Sequence, residues 1–420
     1  MVSKLKKVIS TGDSGILLVT IVMVNAGNYA INLFLGRILG PEDFAEAGLL
    51  ATGILVLSFF ALGFQMTAAK YTATYSVADS PARQQTFSRW FNRQSMMVGL
   101  GLASLLAISS WGLKNYLHFR SVTPFLLIAA GIPVYLLMST GRGILQGEMK
   151  FKKLAGSYLL EMIVRLSLTA VIIGSLLYWG GAWITEGVAL GFLASFFAAY
   201  WISRAKTGTE SVKFPFSEQK QIFGFMFIIG SYELSQIMIS HSDVILVKHY
   251  FSNEEAGLYT ALALIGRVVF FATWSVVTLL FPKVVQREKM GLPHQKLFYQ
   301  SLLLVMAIGV LITFGCYFFS DWIVYLLFGE AFASISKLLW MYASATTLFA
   351  CANVFAYYYL SLNKYTPVIL SGITGIMQIA LIILFHNSIT TIILVQIILM
   401  ASLFLGMVLK PYKKNQVAPE

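Results

Sequence analysis

Uncharged apolar runs of about 20 residues recur along the whole chain, separated by shorter stretches in which Lys, Arg, Asp and Glu collect. A helix needs about 20 apolar residues to cross a bilayer. That ruler predicts twelve spans, at about 14–36, 45–69, 94–113, 121–141, 155–178, 183–202, 222–247, 256–281, 297–319, 333–361, 366–385 and 389–409. The last two share one long run divided at His386-Asn387-Ser388, too long for a single helix and suited to a hairpin of two. The predicted fold is an all-α integral membrane protein of twelve transmembrane helices.

Within the first span, Asn25, Asn28 and Asn32 stand at i, i+3 and i+7, so they share one helical face. Hydrocarbon cannot satisfy amide donors and acceptors, and such a face is expected to look into protein or a wet cavity. The device repeats in the seventh span, where Glu233, Gln236, Ser240 and Asp243 share a face. Gln236 lies 211 residues after Asn25, and Asp243 lies 211 after Asn32. The two stripes are expected to be followed by similar loops, Pro41-Glu42-Asp43-Phe44-Ala45 and Asn253-Glu254-Glu255-Ala256-Gly257. Half of a 420-residue chain therefore echoes the other half. The boundaries predicted are an N-terminal six-helix lobe at 1–203, a linker at 204–221, a C-terminal six-helix lobe at 222–410 and a tail at 411–420. Six spans each with the same in-out sense make a parallel repeat, related by a pseudo-two-fold along the membrane normal.

Composition agrees with this pattern. The mean hydropathy is +0.76, with 58% hydrophobic and 11% charged residues, whereas a soluble globule carries about 25% charged residues. With the N-terminus placed in the cytoplasm, 22 Lys and Arg fall in inside segments and 5 outside. That is the positive-inside rule, and it predicts both termini cytoplasmic. It also accounts for the net charge of +12 without nucleic acid. The two cysteines, Cys316 and Cys351, lie in apolar runs with no metal-ligand spacing around them. No nucleotide loop, zinc helix or nucleophile elbow is present, so catalysis is not expected.

Ionisable side chains at bilayer depth cost about 2.5–3.5 kcal/mol each, and each calls for a reason. Glu161 and Arg165, at i and i+4 in the fifth span, are either a structural intrahelical ion pair or a pair in which Glu161 holds Arg165 toward a cavity. Glu233 and Asp243 are either buried against Arg267 of the next span or part of a Na+ or H+ coupling site. Arg37 and Lys248, at the outer ends of the first and seventh spans, suit snorkelling anchors first and ligand contacts second. Lys70 and Arg142 lie toward the inner ends, where topology or a phosphate contact explains them equally. Pro133 is expected to kink the fourth span.

Leu-Gly-Arg-Ile-Leu-Gly-Pro-Glu-Asp-Phe at 35–44 resembles the opening of polysaccharide-type lipid-linked oligosaccharide flippases, including those for O-antigen. These belong to the multidrug/oligosaccharidyl-lipid/polysaccharide (MOP) exporter superfamily. Gly141-Arg142-Gly143-Ile144-Leu145-Gln146-Gly147-Glu148-Met149-Lys150-Phe151, continuing to Arg165-Leu166, is similar to a second recurrent pattern of that family. Ala45 stands where the family usually has Gly.

The resemblance implies two lobes in a V, with the first and seventh helices lining a cavity that opens alternately to each side of a bacterial cytoplasmic membrane. It implies a substrate with an undecaprenyl pyrophosphate tail and a glycan head, no cofactor, and the polysaccharide polymerase and chain-length machinery as candidate partners besides membrane lipid. The family's cavity is commonly cationic, and the candidates for that role are Arg37, Arg142, Arg165, Lys248 and Arg267; the stripe amides Asn25, Asn28, Asn32 and Gln236 complete the candidate cavity set, with Glu161, Glu233 and Asp243 as coupling or structural acids. The alternative reading is a cation-coupled multidrug or small-molecule exporter of the same superfamily. A membrane glycosyltransferase would need a larger polar loop than the short outer connections offer, and a passive scaffold is the blandest reading.

Overall fold

In the computed structural model the described residues are 11–77, 81–179, 183–204, 215–270, 273, 276, 280, 284, 287, 292–362, 364 and 366–409. They form α1 (Thr11–Val77), α2 (Pro81–Tyr116), α3 (Thr123–Gly147), α4 (Phe151–Trp179), α5 (Ile184–Ser203) and α6 (Phe216–Tyr250). There follow α7 (Asn253–Gly266), α8 (Gln295–Phe318), α9 (Ser320–Phe328), a 3-10 turn (Glu330–Ile335), α10 (Ser336–Ser361), α11 (Thr366–Leu384) and α12 (Ile389–Leu409). Among the described residues, ten helices are long and apolar enough to cross a membrane. The chain is a multi-pass membrane protein.

The difference between ten and twelve has two causes. At 67 residues and about 1.5 Å per residue, α1 is far longer than a bilayer is thick, and it contains the first two predicted spans. It breaks at Gly40, whose φ of 71° and ψ of 174° are not helical. Only glycine takes that backbone without strain, and Pro41 next to it starts the second arm with a fixed φ and no N–H to satisfy. The predicted loop at Pro41-Glu42-Asp43-Phe44-Ala45 is therefore a first helical turn, with its acids at the positive end of the arm. The eighth predicted span is only partly visible. It begins as α7, turns at Arg267 and resumes at 268–270, and much of the remainder lies outside the described residues.

Three further expectations change. Asn253-Glu254-Glu255-Ala256-Gly257 is not a loop but the start of α7, closed by a capping box in which Ser252 accepts from the Glu255 N–H and the Glu255 carboxylate accepts from the Ser252 N–H. The linker predicted at 204–221 ends earlier, because α6 already begins at Phe216; residues 205–214, like the tail at 411–420, lie outside the described residues. The connection after the ninth span, expected to be short, is structured. It folds as α9 and a 3-10 turn, with Val324 and Phe328 buried and Trp322, Tyr325 and Leu326 exposed.

The chain divides into two compact units, 1–234 and 235–420, with the boundary inside α6. In the first, α3 is the central helix. Its Gly141 lies against the Ser203 carbonyl of α5, where a Cβ would stand 2.3 Å from that oxygen, and its Gly143 lies against the Gln65 carbonyl of α1, at 2.2 Å from a Cβ. Side chains at either position would push the helices apart, so the Gly-Arg-Gly sequence itself sets the packing distance. In the second unit α10 is central, and Phe349, Val354 and Phe355 lie in a core shared with Phe298 and Leu403. Lipid-type surfaces remain on α2, through Leu105, Ile108 and Trp111, and on α8, through Leu303, Leu311 and Phe318.

Candidate functional site

Each unit holds a buried polar cluster between its own helices. In the first, Arg142 projects from α3 and is 4% exposed. Its Nη2 lies 2.7 Å from Glu161 Oε2 and donates to the Ser157 carbonyl at 2.9 Å, while Nε donates to Ser157 Oγ at 3.0 Å. The guanidinium sits 4.0 Å from the centre of the Tyr158 ring. Arg165, one turn along α4, reaches Glu161 Oε1 at 3.4 Å, donates to Asn28 Oδ1 of α1 and faces the Phe192 ring at 5.0 Å. Two guanidinium groups thus share one carboxylate, and the cluster carries a surplus positive charge in a medium that screens little.

The asparagine stripe is divided by this arrangement. Asn28 is half-buried and taken up by Arg165, Asn32 is half-buried and donates to the Asn28 carbonyl at 2.8 Å, and Asn25 is exposed. Arg37 is exposed as well.

In the second unit Asp243, 0% exposed, is the hub. Its Oδ2 accepts from Tyr342 OH at 2.7 Å and from Tyr259 OH at 3.0 Å, and its Oδ1 accepts from Arg267 Nη2 at 3.2 Å. Gln396 Nε2 donates to Tyr259 OH at 3.2 Å, which extends the chain of bonds to α12. Arg267 Nη1 stands 3.1 Å from His241 Nδ1. Arginine has only donors, so Nδ1 accepts, and the imidazole proton resides on Nε2. Arg267 can occupy this depth because α7 ends at Gly266, where the macrodipole favours a cation, and the Gly266 carbonyl accepts from Thr346 at 2.9 Å.

Of the sequence candidates, Asn28, Arg142, Glu161 and Arg165 come together in the first unit, and Asp243 comes together with Arg267 in the second. Glu233, half-buried, is not part of the Asp243 pair. Gln236 is 8% exposed, and neither of its amide atoms has a hydrogen-bond partner among the described residues. Lys248 corrects the anchor reading: it is 1% exposed and donates to Asn253 Oδ1 rather than reaching an interface. Its ammonium is spent on holding the turn between α6 and α7.

Sequence reasoning missed Glu46. It is buried, and its carboxylate accepts from the Arg120 N–H at 3.0 Å and from Thr185 Oγ1 at 3.0 Å, tying α1 to α5 and to the connection between α2 and α3. Arg120 also pairs with Asp43 and, at 3.4 Å, with Glu42. The signal was an acid at the second residue of a predicted span, which a tally of Lys and Arg alone passes over.

The two units also share a contact between their fifth helix and their leading helix. Arg165 of α4 binds Asn28, while Gln378 of α11, 213 residues later, donates to the carbonyl of Ile239, 211 residues after Asn28. Charge has been replaced by an amide at the matching place.

The family model for "Polysaccharide biosynthesis protein" matches residues 34–337, most of the chain. The chain belongs to that family. Among solved structures, the inward-facing conformation of a multidrug resistance MATE family transporter of the MOP superfamily is 14% identical, with a TM-score of 0.74 over 92% of each chain. The lipid II flippase MurJ in an inward closed conformation is 15% identical, with a TM-score of 0.73 over 93% of this chain and 86% of that one. An outward-facing MATE transporter of the MOP superfamily follows at 13% identity and a TM-score of 0.61, covering 93% and 92% of the two chains. No curated protein matches the chain in sequence. This member of the polysaccharide biosynthesis family therefore has the MOP fold.

Proposed function

We propose that the protein is a flippase that carries an undecaprenyl-pyrophosphate-linked oligosaccharide across the bacterial cytoplasmic membrane by alternating access, for surface polysaccharide synthesis. The observation that carries this reading is the surplus positive charge of Arg142 and Arg165 around the single carboxylate of Glu161. A pyrophosphate cannot cross hydrocarbon unaided. A fixed cationic patch substitutes for part of its hydration, while the glycan meets amides and hydroxyls and the prenyl tail stays in lipid. Family membership supports the polysaccharide context, and the fold supports movement of a substrate rather than bond formation. Coupling to Na+ or H+ and hand-over to a polymerase belong to the same proposal.

Deletion of the gene in its own host tests it. The expected outcome is loss of surface glycan, with the lipid-linked saccharide accumulating at the inner leaflet. The intact protein restores export, Arg165→Lys restores it in part, and Arg165→Gln does not. Unchanged surface glycan in the deletion strain contradicts the proposal.

A further inference from the structure

In the second unit, α9 (Ser320–Phe328) is a short helix with two apolar faces, and the protein covers one of them. Val324 and Phe328, at i and i+4, are buried, and the Phe328 ring lies 5.1 Å from that of Phe332 in the 3-10 turn. Trp322 and Tyr325, at i and i+3, leave on the other side and are 64% and 62% exposed, with Leu326 exposed beside them. Apart from Ser320 and Asp321 the helix has no residue that is charged or small and polar. A helix that turned this face to water would carry polar side chains there.

Length and continuity decide what covers it. Nine residues at about 1.5 Å each make about 14 Å, less than half of a hydrocarbon layer of about 30 Å. α9 cannot cross the membrane. On α8, Leu311, Phe314 and Phe318 stand at i, i+3 and i+7 and are all exposed, an apolar strip of the kind that faces acyl chains in a multi-pass protein. That strip continues through the exposed ring of Phe319 into Trp322. At the same end of α8, Tyr317 meets Trp340 of α10 edge-on at 5.8 Å. Tyr and Trp therefore collect where α9 begins, and these are the side chains that prefer the headgroup level, with the ring in lipid and the polar tip in water. The charged residues of the stretch, Asp321, Glu330 and Lys337, are all exposed.

We propose that α9 is an interfacial helix, seated on the second unit through Val324 and Phe328 and sunk through Trp322 and Tyr325 into the phospholipid headgroup layer. Its partner is the bilayer itself, at the boundary between headgroups and acyl chains where α8 ends. Deeper insertion takes Asp321 out of water and withdrawal exposes two aromatic rings to it, so the helix holds this end of α8 and α10 at one depth. The anchor follows from the membrane-spanning fold and holds whatever substrate the protein carries.

Full-length protein carrying Cys316→Ala and Cys351→Ala, with one nitroxide label at a time on Trp322→Cys, Tyr325→Cys or Leu311→Cys, tests it. Each is reconstituted in nanodiscs of phosphatidylethanolamine and phosphatidylglycerol, and the access of oxygen and of a water-soluble nickel chelate to the label is measured against lipids labelled at known depths. The labels at 322 and 325 are expected to favour oxygen and to lie about 5–10 Å into the headgroup and acyl boundary, with the label at 311 deeper. Labels at 322 and 325 that favour the nickel chelate put the face in water and overturn the proposal. Exclusion of both reagents, the mark of a second copy or another protein on this face, overturns it too, as does a depth equal to that of 311. Should the labelled variants misfold, wild-type protein decides, irradiated in nanodiscs that contain a phospholipid with a diazirine close to its headgroup. Adducts within 319–326 are expected, and their absence, while a diazirine at the acyl chain end labels α8, overturns it.

Discussion

Arg142 and Glu161 meet at 2.7 Å across α3 and α4, both nearly withdrawn from solvent. The pair lies at the centre of the first unit, and the close approach of α3 to its neighbours at Gly141 and Gly143 brackets the arginine on either side. Packing and charge are therefore specified by the same three consecutive residues.

Removing the carboxylate strands two buried cations. Glu161→Ala is expected to destabilise the protein by about 3–5 kcal/mol, read as a large fall in the thermal transition of the detergent-solubilised protein. Glu161→Gln, which keeps one acceptor, should lose less. Equal stability of Glu161→Ala and wild type would show that the pair contributes nothing.

The glycines of α3 offer a steric test. Gly143→Ala places a methyl against the Gln65 carbonyl, which cannot move independently of α1. A loss of about 1–3 kcal/mol is expected, typical of overpacking. Gly101→Ala and Gly112→Ala, where a Cβ meets nothing within 4 Å, should be neutral or stabilising by up to about 1 kcal/mol. Reversal of that order in parallel melts would contradict the packing described.

In the second unit, Asp243 and Arg267 act as one network with Tyr259, Tyr342 and His241. Each of Asp243→Ala and Arg267→Ala should destabilise strongly by leaving buried partners unpaired. The double variant should be less impaired than the sum of the two, with a coupling of about 1–3 kcal/mol. Additive losses would mean that the two side chains act independently.

Glu46 is expected to lock the kink region of α1 to the start of α5 and to the connection between α2 and α3. Glu46→Ala leaves the Arg120 N–H and the Thr185 hydroxyl without their acceptor, at a cost of about 1–3 kcal/mol. Faster hydrogen exchange at 118–122 and 184–187 is the measurement, and unchanged exchange is the contrary result.

Most of the fold was legible because the bilayer imposes a single ruler. Apolar runs placed the helices α4, α5, α8 and α10 to α12 within a few residues of where they lie, whereas α2 begins at Pro81, well before its predicted start at 94, and α3 runs on to Gly147, past its predicted end at 141. Gly40-Pro41 was readable as a break but not as a helix kink, since the same two residues serve a loop or the junction of two helical arms. Pairings were less visible. The i, i+4 spacing of Glu161 and Arg165 could be read along one helix, whereas the second arginine on that carboxylate comes from α3 and depends on tertiary packing. Lys248 looked like an interface anchor because span ends usually reach water; Asn253, five residues on, captured it instead. Gln378 gave no signal at all, being one amide in an apolar helix, and acquires its meaning from Ile239 and Ser242 on α6.

The most direct measurement is translocation in proteoliposomes made from purified protein and its host's lipid-linked oligosaccharide, followed by access of an external lectin to the glycan. Protein-dependent exposure of the glycan is expected, slowed at least about tenfold by Arg165→Gln, the equivalent of losing about 1.4 kcal/mol from the transport barrier. Vesicles in which the glycan stays put, while the same protein expels a cationic dye against a Na+ or H+ gradient, would contradict it.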